Sequence, residues 1–67
     1  MYVSVNAQTR REAALRAESA AISRGYDGES LRVELGGLTA NGSAYRIMSD
    51  RPDSHIVLRA IKEAMES

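Results

Sequence analysis

Hydrophobic and polar residues alternate from Leu31 to Met48 in a way that is typical of a β-hairpin. The pair Asn41-Gly42 divides this stretch and favours a two-residue type I′ turn, in which both residues adopt positive φ. With that turn alone, Arg32 and Glu34 would fall on the apolar face. A one-residue bulge at Gly36-Gly37 would shift the alternation of side chains by one residue and return Arg32 and Glu34 to the polar face. The apolar face of the hairpin would then carry Leu31, Val33, Leu35, Leu38, Tyr45 and Ile47.

A short strand and a helix are predicted before the hairpin. The segment 2–5 alternates and contains two β-branched valines, which favours a strand. An alanine-rich stretch over about residues 8–24 follows it and predicts the first helix, with Asn6 or Thr9 as its N-cap. Gly25 comes directly after this stretch, and glycine is the residue most common just beyond a helix end.

A second helix is predicted over about residues 53–66, after the polar segment that contains Pro52. Its capping residue is left open between Asp50, Asp53 and Ser54. Charged residues occupy one side of this helix and apolar residues the other, so it should cover one face of the sheet. The apolar side consists of Val57, Leu58, Ile61, Ala64 and Met65.

These elements predict a single α+β domain, residues 1–67, in the order β-α-β-β-α. Both helices would pack on one face of an antiparallel sheet. The opposite face would show Arg32, Glu34, Arg46 and Met48. Without the first strand, the order would be helix, hairpin, helix. Because a chain of this length buries a small core and this one has no cysteine, we expect it to form a homodimer.

The first helix has two distinct apolar arcs. Leu15 and Ile22 lie together, and we expect these large side chains to reach the core. The alanines cluster on another arc, either because alanine is the best helix former or because small side chains admit a closely packed helix from a copy or a partner. Tyr26 could anchor a partner or pack over the helix end. The candidate partner-binding residues are Ala13, Ala17, Ala20, Arg24 and Tyr26.

Nine basic and nine acidic residues cancel, so no global field draws this chain to nucleic acid or to an anionic membrane. Eight of the nine basic residues are arginine, which binds phosphate in bidentate fashion. Arg10, Arg11 and Arg16 are therefore the candidate residues for nucleic-acid binding, although they are scattered around the helix. No segment is long and apolar enough to predict a membrane span, and we expect a cytoplasmic protein.

Candidate catalytic groups are few. His55 is the single histidine, and its position at a helix start favours a surface role. The acidic pairs Asp27 with Glu29 and Asp50 with Asp53 coincide with turns and helix starts, which favour carboxylates for local reasons. We therefore predict no catalytic residue, no metal ligand and no cofactor, and we do not expect an enzyme.

The function that remains is a non-enzymatic module that binds another protein. The order of helix, hairpin and helix resembles that of small phage head-tail joining proteins, a likeness of architecture that no motif supports. Small chains of this type serve as inhibitors, adaptors or assembly factors, including those that phages and mobile elements encode. The alternative is a regulatory protein that binds nucleic acid through the arginines of the first helix.

Overall fold

A computed structural model describes residues 1–66 as a three-stranded antiparallel sheet with two helices. The predicted α+β order β-α-β-β-α is confirmed. Buried side chains of both helices and of the sheet form one common core. The elements are β1 (Val3–Ala7), α1 (Arg10–Ser23), β2 (Leu31–Thr39), β3 (Gly42–Ser49) and α2 (Ser54–Glu66).

The last strand of the hairpin, β3, is the centre of the sheet, with β1 on one side and β2 on the other. Val5 lies opposite Tyr45, and Val33 lies opposite Ile47. All four side chains are buried. The first strand therefore exists and pairs within its own chain. It extends two residues beyond the predicted end, so Asn6 belongs to the strand and does not cap the helix.

The predicted bulge is confirmed. Leu35 lies opposite Tyr45 and Gly37 opposite Ala44, which leaves Gly36 as the extra residue. Leu35 and Leu38 therefore reach the predicted face of the sheet. Their side chains are nevertheless 60% and 85% exposed, since Leu35 lies on an edge strand and Leu38 lies next to the turn, opposite Ser43.

The predicted type I′ turn at Asn41-Gly42 is wrong. Thr39 pairs with Gly42, so Ala40 and Asn41 are the two turn residues, and no residue other than glycine has positive φ within residues 1–66. Gly42 has a φ of 147°, and a Cβ atom there would lie 2.8 Å from the carbonyl oxygen of Ala7. Close packing against the end of β1 thus requires glycine after the turn.

Both ends of α1 follow the signals in the sequence. At the start, the Thr9 hydroxyl accepts a hydrogen bond from the Glu12 amide at 3.1 Å, so Thr9 is the N-cap. At the end, Gly25 has a φ of 87°. The Tyr26 amide donates to the carbonyl of Ala21, and this bond completes a Schellman motif.

The apolar arcs of α1 face the opposite way from the prediction. The alanine arc is directed into the core, whereas Leu15 and Ile22 are 55% and 64% exposed. Small side chains are needed on the inner face because α1 contacts α2 and all three strands. The buried residues of α1 are Ala13, Ala17, Ala20 and Ala21.

The second helix is amphipathic as predicted. Val57, Leu58 and Ile61 are fully or almost fully buried, while Ala64 and Met65 pack at the margin of the core. Asp53 directly precedes the helix, and its carbonyl accepts the amide of Val57 at 3.2 Å. In the described part of the chain, neither helix is long and apolar enough to span a membrane.

Candidate interaction surfaces

The predicted partner-binding alanines are not available to a partner. Ala13 and Ala17 are completely buried and Ala20 is 8% exposed, so the close contact that their small side chains allow is made within the chain. The prediction of an interface on this arc is therefore wrong. It identified a site of close packing and assigned it to another molecule, because a helix sequence does not show which side the sheet will cover.

The other two candidates lie at the end of α1. Arg24 is the C-cap residue and is exposed, and its amide donates to the carbonyl of Ala21 at 3.0 Å. Tyr26 is half-buried and packs against the core, so it covers the helix end. The Arg51 guanidinium lies over its ring, 5.7 Å from the centroid. This placement leaves Tyr26 with little surface to offer a partner.

Arg51 connects the two loops at this end of the molecule. Its Nε and Nη2 atoms donate to the two carboxylate oxygens of Asp53 at 2.8 and 3.2 Å, and its Nη1 atom lies 3.4 Å from a carboxylate oxygen of Asp27. The hydrogen bonds from Arg51 lower the pKa of Asp53 below its ordinary value. The sequence predicted turn and capping roles for both aspartates and did not indicate that one arginine joins them.

A different apolar surface lies on the outer side of α1. Leu15 and Ile22 are seven residues apart, so two helical turns place them on one ridge directly opposite the buried alanines. Arg11 and Glu18 occupy neighbouring positions, also seven residues apart. Both apolar side chains are more than half exposed. We call Leu15 and Ile22 the outer ridge of α1.

The second surface is the free edge of β2. The Asp50 amide donates to the carbonyl of Ser30 at 3.3 Å, which sets the phase of hydrogen bonding between β2 and β3. Because bonded and non-bonded pairs alternate in an antiparallel ladder, the backbone groups of Leu31, Val33 and Leu35 point away from β3. We call these three residues the outer edge of β2.

One arginine partly covers this edge. The Nε atom of Arg10 donates to the Val33 carbonyl at 3.0 Å. Arg11 and Ala14 lie beside it, and together with residues 31–34 they line an open groove between α1 and β2. Arg32 stands on the opposite sheet face, where it pairs with Glu34 at 3.1 Å.

The candidate nucleic-acid residues separate into two groups. Arg10 and Arg11 line the groove beside β2. Arg16 reaches the opposite edge of the sheet, where its Nη1 atom donates to the Asn6 carbonyl at 2.5 Å. Two of the three arginines therefore bind backbone carbonyls at different edges, and the fold does not bring all three together.

The remaining candidate chemistry is dispersed. His55 is exposed at the start of α2. Among residues 1–66, no three His, Asp or Glu side chains are grouped so that they could hold a metal ion. The chain matches no protein-family model, no curated protein and no solved structure.

Proposed function

We propose that this chain is a non-enzymatic protein-binding module that acts as an inhibitor, adaptor or assembly factor. One observation supports the proposal: within residues 1–66, as many large apolar side chains are exposed as are buried, seven of each. The exposed ones are Met1, Tyr2, Leu15, Ile22, Leu35, Leu38 and Ile56. Exposed apolar groups that lie together mark interaction surfaces in small proteins, and Leu15 and Ile22 share one face of α1.

The outer ridge of α1 is the surface that we assign to the partner protein. Leu15 and Ile22 have the spacing with which a helix places anchors into an apolar groove of another protein. The flanking Arg11 and Glu18 offer one charge of each sign for the rim of such an interface. The proposed binding mode is therefore a helix of this chain in a groove of the partner.

We further propose that the module is a homodimer. The core supports this, because five of its twelve buried apolar residues are alanine and contribute little apolar area. A chain with so small a core gains stability when it buries further apolar surface against a copy. The copy uses a surface other than the outer ridge of α1, which remains free for the partner.

A pull-down from lysate with tagged protein tests the proposal, with and without nuclease. We expect a stoichiometric protein that survives nuclease and is lost in the double variant Leu15→Lys with Ile22→Lys. Ile56→Lys is the matched control, since Ile56 is 48% exposed on α2 and should leave binding unchanged. If the double variant captures the partner equally well, the outer ridge of α1 is not the binding surface. If no protein partner is captured at all, the proposed function is wrong.

The alternative is nucleic-acid binding, and one observation favours it: Arg10 and Arg11 of α1 line the same groove. Such a cluster would give retention on DNA or heparin that falls steeply with salt. The double variant Arg10→Ala with Arg11→Ala should abolish this retention, while Arg16→Ala at the other edge should not. If the unaltered protein is not retained at low salt, the alternative fails.

A further inference from the structure

We propose that the outer edge of β2 pairs antiparallel with the same edge of a second copy, about a two-fold axis at Val33. This inference rests on the proposed homodimer and specifies its interface. Each β2 directs the backbone groups of Leu31, Val33 and Leu35 away from β3. The Leu31 amide donates to the Gly28 carbonyl at 3.4 Å and the Val33 carbonyl accepts from Arg10, and pairing exchanges both of these bonds. Pairing Val33 with its copy places each Leu31 opposite the other chain's Leu35, and six backbone hydrogen bonds form across the axis.

The charges on the open sheet face select this register. With the axis at Val33, each Arg32 lies opposite the Glu34 of the other chain, in the non-hydrogen-bonded position where side chains come closest. An axis moved by one residue would place Arg32 opposite Arg32, or Glu34 opposite Glu34. Opposite charges stabilise a cross-strand pair and like charges destabilise it. The charges of this edge are therefore complementary when the axis lies at Val33, and they repel each other when the axis lies one residue to either side.

The helix-facing side of the edge is complementary as well. Leu35 is 60% exposed and Leu31 is half-buried in the single chain. In the paired edge, each Leu35 side chain packs beside Leu31 of the copy, and the two Val33 side chains meet at the axis. A six-stranded sheet results, with both pairs of helices on one face.

The groove beside β2 receives the copy. Arg10, Arg11 and Ala14 form its wall on the α1 side. In the single chain Arg10 makes one hydrogen bond to the Val33 carbonyl, the acceptor that the Val33 amide of the copy would use. Arg10 therefore competes with pairing. Across the dimer, six backbone bonds replace four bonds, because each chain gives up its Arg10–Val33 bond and its Leu31–Gly28 bond.

Sedimentation equilibrium of charge-reversal variants tests the register. Arg32→Glu places Glu opposite Glu34 at both symmetric positions, and Glu34→Arg places Arg opposite Arg32. We expect each variant to dimerise at least about tenfold more weakly, since two cross-strand pairs are reversed. Both side chains are more than half exposed, so the fold should persist, as circular dichroism will verify.

Mixing the two variants should restore the dimer, because each Glu then faces an Arg of the other chain. The double variant Arg32→Glu with Glu34→Arg should also dimerise alone. Arg59→Glu is the control for a charge reversal elsewhere, since this side chain is 81% exposed on α2, and it should leave the dimer intact.

The outcomes separate the two proposals. If the unaltered chain dimerises but neither single reversal weakens the dimer, or mixing restores nothing, this interface is wrong while the homodimer stands. If Arg59→Glu weakens the dimer equally, the charge effect is not local and the register is overturned. If the unaltered chain is a monomer at every concentration, both the homodimer and this interface fail, whereas partner capture by the outer ridge of α1 is tested independently.

Discussion

The Nε atom of Arg10 donates a hydrogen bond to the carbonyl oxygen of Val33 at 3.0 Å and so ties the start of α1 to the edge of β2. The carbonyl has no partner in β3, because it points outward from the sheet. Arg10 is therefore a structural residue that partly covers an exposed strand edge, which in many proteins is a point of unwanted association.

Arg10→Ala should lower the free energy of unfolding by about 1 kcal/mol, the usual net contribution of an intramolecular hydrogen bond. Urea denaturation at high dilution measures this change. Arg11→Ala removes the neighbouring exposed arginine and should change stability by less than about 0.5 kcal/mol. Equal effects of the two substitutions would show that the Arg10 hydrogen bond contributes nothing measurable.

Enlarging a side chain on the inner face of α1 should destabilise the protein. Ala17 is completely buried, so Ala17→Leu forces extra atoms into the core and should cost about 1–3 kcal/mol. Leu15→Gln, on the opposite side of the same helix, should cost less than about 0.5 kcal/mol. Thermal denaturation compares the two, and a larger loss for Leu15→Gln would contradict the orientation of α1.

Gly42 should not tolerate a side chain. Gly42→Ala combines a φ of 147° with a Cβ that would lie 2.8 Å from the Ala7 carbonyl oxygen, and we expect a loss of about 1–3 kcal/mol. Gly37→Ala is the control, because no atom lies within 4 Å of its Cβ position and its φ is not positive. A Gly42→Ala protein as stable as the Gly37→Ala protein would contradict the packing of the turn against β1.

Acid should weaken the contribution of Asp53 to the stability of the folded protein. Its pKa is lowered in the folded protein by hydrogen bonds from Arg51, so folding favours the ionised carboxylate. The resulting stability is fully present above the ordinary carboxyl pKa of about 3.9 and is lost as pH falls through the lowered pKa.

The difference in melting temperature between the unaltered protein and Asp53→Asn should therefore shrink as the pH falls below about 4. In an Arg51→Ala background, the same comparison should lose most of this pH dependence, because the guanidinium that is the main cause of the lowered pKa is gone. If the pH dependence of the difference in melting temperature is unchanged in that background, a group other than Arg51 causes it.

Much of the fold could be predicted because its signals are local. Gly25 ends α1 through a conformation that glycine adopts easily, and the hydrophobic phase of the hairpin requires a bulge at Gly36-Gly37 whatever surrounds it. The hydrophobic stripe of α2 is continuous enough to identify its buried side. Each of these features depends on residues that are close in sequence.

The candidate interaction surfaces could not be predicted in the same way. Side-chain size suggested that Leu15 and Ile22 of α1 face the core, but available space decided otherwise. α2 and the strands supply the large core residues, so α1 fits above the sheet only with its alanines inward. Likewise, no local pattern shows that Arg51 bridges Asp27 and Asp53 or that Arg10 reaches Val33.

The sequence by itself determined the elements of this protein, their order and the ends of α1, because backbone preferences and hydrophobic periodicity act over a few neighbouring residues. Only the tertiary structure decided which side of α1 is buried, which strand edge is free and which arginines are held by backbone carbonyls. Those outcomes depend on how much volume distant segments bring to a shared core, a quantity that no single segment contains.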